Sequence, residues 1–131
     1  MIAYKGRVRF KQYVPSKPTK WGIKAFELCD SLSGYCLDFD IYTGKDRVPS
    51  ARGLGFDVVS GLINRYLNKF HHVFYDRFFS GLPICEYLLR NNTYCSGTIM
   101  LNRRGLPMKA KRTKLGRGAS VFYQKMSQMC F

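Results

Sequence analysis

The hydrophobic period of this chain changes near residue 55, and that change sets its fold class. Before it, Ile23, Ala25, Glu27 and Cys29 would share one side of a strand over residues 22–30, with Lys24, Phe26 and Leu28 on the other. Over residues 35–42, Tyr35, Leu37, Phe39 and Ile41 alternate in the same way with Cys36, Asp38, Asp40 and Tyr42. Successive side chains of a strand point to opposite faces, so period two predicts two strands. The intervening Ser31-Leu32-Ser33-Gly34 predicts the turn of an antiparallel hairpin. Residues 43–55 are polar and contain glycine, which reads as a loop.

Beyond that loop the period is about 3.6. Val58, Val59, Leu62, Ile63, Tyr66 and Leu67 fall on one face, predicting a helix over about residues 57–69 with Asp57 as its N-cap. His72-Val73-Phe74-Tyr75-Asp76 is too short for another helix and reads as a strand ending in an acid. Ser80 would cap a second helix, with Pro83 in its first turn, Ile84, Cys85, Leu88 and Leu89 facing inward, and Asn91-Asn92 at its end. Residues 93–101 return to strand character, and residues 102–118 read as a loop or a partner-dependent arm. Upstream, residues 4–18 form an extended basic entry interrupted by Pro15 and Pro18. The order strand, strand, helix, strand, helix, strand predicts an α/β layer, with helices packed on a mixed sheet.

The charge is as uneven as the periodicity. The 131 residues carry 22 Lys and Arg against 8 Asp and Glu, a net +14, yet 46% are hydrophobic and 15% aromatic. That apolar content excludes a disordered basic tail, and the length suits one domain. Residues 1–24 hold seven cations and residues 87–131 hold nine, with no acid in either flank; all eight acids lie between Glu27 and Glu86. Basic flanks around a near-neutral centre point to a polyanion, because Lys and Arg that neutralise phosphates release condensed counterions. The interleaved Tyr4, Phe10, Tyr13 and Trp21 suit stacking on bases; the alternative is a solvated cationic face with a core tryptophan.

Five cysteines, with no C-x-x-C pair and no apolar leader, suggest buried thiols in a reducing compartment, cytosolic or nuclear. No apolar run approaches the roughly 18 residues of a membrane span. Adjacent His71 and His72 would point to opposite faces of a strand, which argues against zinc. Asp76 is the strongest catalytic candidate. A carboxylate at the carboxyl end of a short strand between two helices lies where open α/β sheets place ligands. There it would take a hard cation such as Mg²⁺ or Mn²⁺, although a turn aspartate or a cap is the plainer reading. Asp30, Asp38, Asp40 and Asp57 are alternatives.

Several blocks then resemble the catalytic region of piggyBac-type transposases. They are Tyr4-Lys5-Gly6-Arg7; residues 13–24, from Tyr13 through Trp21-Gly22 to Lys24; Cys29-Asp30-Ser31 with Gly34-Tyr35; Tyr75-Asp76-Arg77-Phe78-Phe79-Ser80; and Gly97-Thr98 with Asn102-Arg103-Arg104-Gly105-Leu106-Pro107. The similarity runs in order through nearly the whole chain. It implies an RNase H-like fold in which three aspartates bind two Mg²⁺ ions for DNA nicking and strand transfer. Asp76 matches the second of them. On the family pattern the first would precede Met1 and the third would lie beyond Phe131. The chain would then be an internal piece: residues 1–101 a partial RNase H-like catalytic domain without its first central strand, and residues 102–131 a basic segment opening the family's inserted region.

The resemblance makes the polyanion DNA, with Lys5, Arg7, Lys17, Lys20, Lys24, Arg103, Arg104, Lys109, Lys111 and Arg112 as the candidate contacts. It also implies a nuclear location, Mg²⁺ or Mn²⁺ in the intact protein, no transposition by this chain alone, and a homodimer or partner chain to supply what is missing. A domesticated DNA-binding module without catalysis is the alternative. Three positions depart from the family pattern: Arg77 stands for the usual asparagine, Met100 for an arginine, and Ala119 for an acid. A cation beside a metal ligand disfavours a second positive charge.

Overall fold

The structure, a computed structural model, describes residues 1–44, 47–125 and 128–130, with backbone alone at 111, 125 and 128–130. The chain divides into two compact units, Met1–Arg65 and Tyr66–Phe131.

In the first unit, β1 (Ile2–Ala3), β2 (Gln12–Tyr13) and β3 (Trp21–Ile23) form a small antiparallel sheet in the order β1-β3-β2. Gly22 sits where a side chain would collide: a Cβ there would lie 2.3 Å from the Ile2 carbonyl oxygen. The strand expected over residues 22–30 is broken at Lys24, so β3 and β4 (Ala25–Cys29) belong to different sheets. The expected hairpin forms between β4 and β5 (Cys36–Ile41), pairing Phe26 with Asp40 and Glu27 with Phe39. Its turn is built by Asp30, whose carboxylate accepts hydrogen bonds from the Ser33 amide at 2.8 Å and the Ser33 hydroxyl at 2.5 Å. Gly34 closes the turn at φ 71°, a left-handed conformation that glycine adopts without strain.

Helix α1 (Leu54–Ile63) packs its buried Val58, Val59, Leu62 and Ile63 in contact with β4 and β5. Phe26 is the buried side chain of β4. The other face of the hairpin carries Leu37, Phe39 and Ile41 and is exposed, Phe39 to 58%. Asp57 does not cap α1. The helix begins three residues earlier, after Gly53 at φ 90°, and the Asp57 carboxylate accepts from the Ser50 amide and hydroxyl at 2.8 and 2.5 Å. Those two bonds hold its carboxyl below the usual range. Nor does α1 reach Lys69: it ends at Ile63 and one 3-10 turn follows over Asn64–Tyr66.

The second unit is built on a βαβ element. Strand β6 (His72–Tyr75) pairs in parallel with β7 (Tyr94–Gly97), Tyr75 opposite Gly97, and α2 (Leu82–Arg90) connects them. Ile84 and Leu88 of α2 are fully buried, as is Thr93 just before β7. Asn68 and Phe70 take left-handed φ values of 60° and 58°, and their amides bond the Asn91 and Asn92 carbonyls at 2.8 and 3.0 Å. Left-handed backbone does not continue a helix, so the pattern running to Lys69 is interrupted at Asn68, beyond the end of α1. Ser80 does not cap α2 either. Gly81 holds that position in extended backbone, while the buried Ser80 hydroxyl donates to the Asp76 carbonyl at 3.2 Å.

The basic segment read as a loop contains one short helix, α3 (Met108–Arg112), and an antiparallel hairpin of β8 (Tyr123–Lys125) and β9 (Gln128–Cys130) follows it. The described strands thus form small separate sheets, and the architecture is mixed α/β.

Candidate functional site

Asp76 is the first residue after β6, at the carboxyl end of the parallel β6-β7 pair. Its exposed carboxylate accepts a hydrogen bond from the Arg77 amide at 2.6 Å. Its carbonyl accepts from the Phe79 amide at 3.0 Å and from the Ser80 hydroxyl, so residues 76–80 form a turn closed on Asp76. A second chain segment holds the turn from outside. Nη2 of Arg103 donates to the Arg77 carbonyl at 3.1 Å and to the Phe78 carbonyl at 2.7 Å, while Nε of Arg103 is buried without a hydrogen-bond partner among the described residues.

Two glycines make this packing possible. A Cβ on Gly97 would lie 2.6 Å from the Tyr75 carbonyl oxygen and 2.8 Å from the Ser80 hydroxyl, so only hydrogen lets β7 close on the Asp76 turn. Gly105, at φ 87°, lies where a Cβ would approach Leu82 to 2.6 Å. Behind the turn is a cavity of about 880 Å³ walled in part by Tyr75, Cys85, Cys95, Gly97, Thr98 and Leu106.

The basic candidates divide by environment. Lys5, Arg7, Lys17 and Lys20 are exposed in the first unit, and Arg104, Lys109 and Arg112 are exposed in the second. The side chain of Lys111 lies outside the described residues. Lys24 is half-buried, its ammonium 4.8 Å from the centre of the Phe26 ring and 5.4 Å from that of Tyr42, in cation–π range. Arg103 spends hydrogen bonds on the Asp76 turn. Trp21 is not a core residue. It is 52% exposed, its ring centre 4.8 Å from that of Tyr13, with the Lys11 ammonium 5.2 Å away.

A family description, Transposase IS4, matches this chain over residues 1–131. The chain belongs to the Transposase IS4 family. One solved structure with a strong likeness is the cryo-EM structure of a piggyBac transposase synaptic complex with hairpin DNA, at a TM-score of 0.84 and 28% identity. The match covers 94% of this chain and 26% of that one, so this transposase chain spans about a quarter of that relative's length. It is of the piggyBac type.

Transposases of this family use divalent metal ions. Asp76 offers a hard oxygen donor, the right chemistry for Mg²⁺ or Mn²⁺. One carboxylate does not make such a centre, and among the described residues no group of three or more His, Cys, Asp or Glu is arranged to hold a metal ion. His72 instead shares a hydrogen bond with the Ser96 hydroxyl at 2.9 Å and stacks on Phe74 with ring centres 4.4 Å apart. No helix among the described residues is long and apolar enough to cross a membrane.

The sequence placed Asp76 at the end of a strand, where the structure has it, but gave no sign that Arg103 bonds the turn that follows. Arg103 stood out only within a family motif, Asn102-Arg103-Arg104-Gly105, without a reason for two adjacent arginines to differ. The grouping of Tyr75, Cys85 and Cys95 left no local signal, because it depends on β6, α2 and β7 meeting.

Proposed function

We propose that this chain is part of the catalytic region of a piggyBac-like DNA transposase, RNase H-like in fold, whose reaction is metal-dependent DNA nicking and strand transfer. The observation that carries the reading is the exposed Asp76 carboxylate at the carboxyl end of β6, on a turn held by Arg103, in a chain matched throughout by a transposase family. Asp76 would be one of three aspartates binding Mg²⁺ or Mn²⁺, the others belonging to segments of the longer protein outside this chain. The bound ions would stabilise charge on the transferring phosphate. This chain's own part is to keep Asp76 oriented, through the Ser80 and Arg103 hydrogen bonds to its turn. Residues 1–101 would be the partial catalytic domain and residues 102–131 the start of the inserted segment. The protein would act in the nucleus, as a homodimer or with a partner chain.

Alone, this chain should not nick DNA, since removing members of a cooperating catalytic set abolishes most of the rate. The test is purified residues 1–131 with Mg²⁺ or Mn²⁺ on supercoiled plasmid. Nicking above the level of an Asp76→Ala control would sink the prediction of inactivity.

A second reading has support of its own: a domesticated DNA-binding module without catalysis. It is favoured by the exposed Trp21 beside Tyr13 and Lys11, together with the exposed Lys5, Arg7, Lys17 and Lys20. Such a surface joins stacking to phosphate neutralisation. DNA affinity that falls steeply with salt and is indifferent to Asp76→Ala supports the module; affinity that is independent of salt removes it.

A further inference from the structure

Cys85 and Cys95 meet in the wall of the cavity behind the Asp76 turn, and neither has a part in the function proposed above. Cys85 lies in the first turn of α2, its amide bonded to the Gly81 carbonyl at 3.2 Å. Cys95 lies on β7, which packs against α2, and Tyr75 reaches the pair from β6. The Tyr75 hydroxyl is 3.2 Å from Sγ of Cys85. Both cysteines are free and half-buried, and both line the cavity. The groups that titrate against Cys85 are Tyr75 and Cys95.

These three groups are not equivalent. Hydrogen bonding from the Cys95 thiol, and then from the Tyr75 hydroxyl, brings the Cys85 thiol down to about 6 against the opposing effect of burial. Cys95 is raised above the ordinary thiol range, chiefly by the same contact with Cys85. The Tyr75 hydroxyl closes the group from the β6 side, 3.2 Å from the Cys85 sulfur. A thiolate next to a protonated thiol, both open to one cavity, is an attacking sulfur next to a resolving one.

We propose that Cys85 and Cys95 form a peroxide-responsive dithiol site, in which a small hydroperoxide enters the cavity, oxidises Cys85 first, and leaves the two residues joined as a disulfide. The Cys85 thiolate attacks the distal oxygen of the hydroperoxide. The O–O bond breaks, and the leaving oxygen takes a proton to become water or an alcohol. Cys85 is then a sulfenic acid. The Cys95 sulfur attacks Sγ of Cys85, the S–O bond breaks, and hydroxide leaves with the proton of Cys95 as water. Two thiols have lost two electrons in all, and the hydroperoxide has gained them.

Cys29 and Cys36 provide the internal comparison. They are opposed across the β4-β5 hairpin and exposed, but Cys36 is raised, with burial the largest cause and the neighbouring Cys29 the next. Thiols kept protonated react slowly despite their access. The experiment treats the intact 131-residue chain with hydrogen peroxide at one equivalent, alkylates the remaining thiols, and maps the cysteine peptides by mass spectrometry. A Cys85–Cys95 linked peptide formed before any Cys29–Cys36 link is the expected result. Cys95→Ser should leave Cys85 as a sulfenic acid trapped by dimedone, and Cys85→Ser should leave Cys95 unoxidised.

A readout without substitutions guards against variants that fail to fold. In the native chain at pH 6, iodoacetamide should modify Cys85 about tenfold faster than Cys36. Peroxide that links Cys29 to Cys36 first, peroxide that leaves Cys85 and Cys95 free, or a Cys85 alkylation rate no higher than that of Cys36 would each overturn the proposal.

Discussion

Nη2 of Arg103 donates to the Phe78 carbonyl at 2.7 Å, and through that contact a residue of the basic segment holds the turn that carries Asp76. That one nitrogen carries two hydrogens and reaches two carbonyls, the second being that of Arg77. Arg103→Ala should lower the unfolding free energy by about 1–2 kcal/mol, seen as a lower urea midpoint at unchanged slope. Arg103→Lys should recover only part of the loss. The same variant separates positioning from phosphate contact: Lys20→Ala should reduce the salt slope of DNA affinity by about 1, whereas Arg103→Ala should leave it unchanged.

The glycines give a contrast in sign. Gly97→Ala places a methyl 2.6 Å from the Tyr75 carbonyl oxygen, a backbone atom that cannot swing aside. It should cost about 1–3 kcal/mol and lower the melting temperature. Gly61→Ala meets nothing within 4 Å among the described residues and lies inside α1. That change should stabilise by about 0.5–1 kcal/mol, because alanine loses less backbone freedom on entering a helix. Equal melting temperatures for the two variants would contradict both assignments.

The Ser50–Asp57 bonds should make the first unit sensitive to acid. The folded Asp57 carboxyl titrates below its ordinary value, chiefly through the Ser50 hydroxyl and then the Ser50 amide. A depressed acid contributes stability that is full above its unfolded pKa, near 3.8, and is lost as pH falls through the lower folded value. Ser50→Ala should therefore destabilise at pH 7 and have a smaller effect near pH 2, where Asp57 is protonated in the unfolded state and increasingly so in the folded one. Thermal denaturation at the two pH values tests this, and an equal or larger effect in acid would refute it.

Trp21 offers a direct measure of stacking. Its ring is half exposed and sits beside Tyr13, so Trp21→Ala should weaken binding to single-stranded DNA by about 1–3 kcal/mol. Because the residue is outside the core, the loss should come with little change in the denaturation midpoint. Fluorescence anisotropy with a short labelled oligonucleotide measures the first effect, and urea titration the second.

Local sequence was a reliable guide where the deciding interactions were local. The β4-β5 hairpin follows from strict alternation on either side of a turn that Asp30 and Gly34 can close by themselves, and α2 was legible from its helical spacing and Pro83. The caps were not. Asp57 and Ser80 are good capping residue types, but each is held elsewhere, by Ser50 and by the Asp76 carbonyl, and glycines occupy both cap positions. The end of α1 was not legible either: apolar spacing persists to Leu67, whereas the helix stops at Ile63.

The sequence by itself determined the mixed α/β class, the acid-free basic flanks and the family. Those depend on periodicity, composition and motif order, all readable along one dimension. Only the tertiary structure decided that Arg103 faces the Asp76 turn while Arg104 faces solvent, that Trp21 is exposed, and that Cys85 and Cys95 share a cavity wall. The physical reason is separation. The Arg103–Phe78 bond spans 25 residues, and no local propensity distinguishes two adjacent arginines until β6, α2 and β7 bring a carbonyl to one of them.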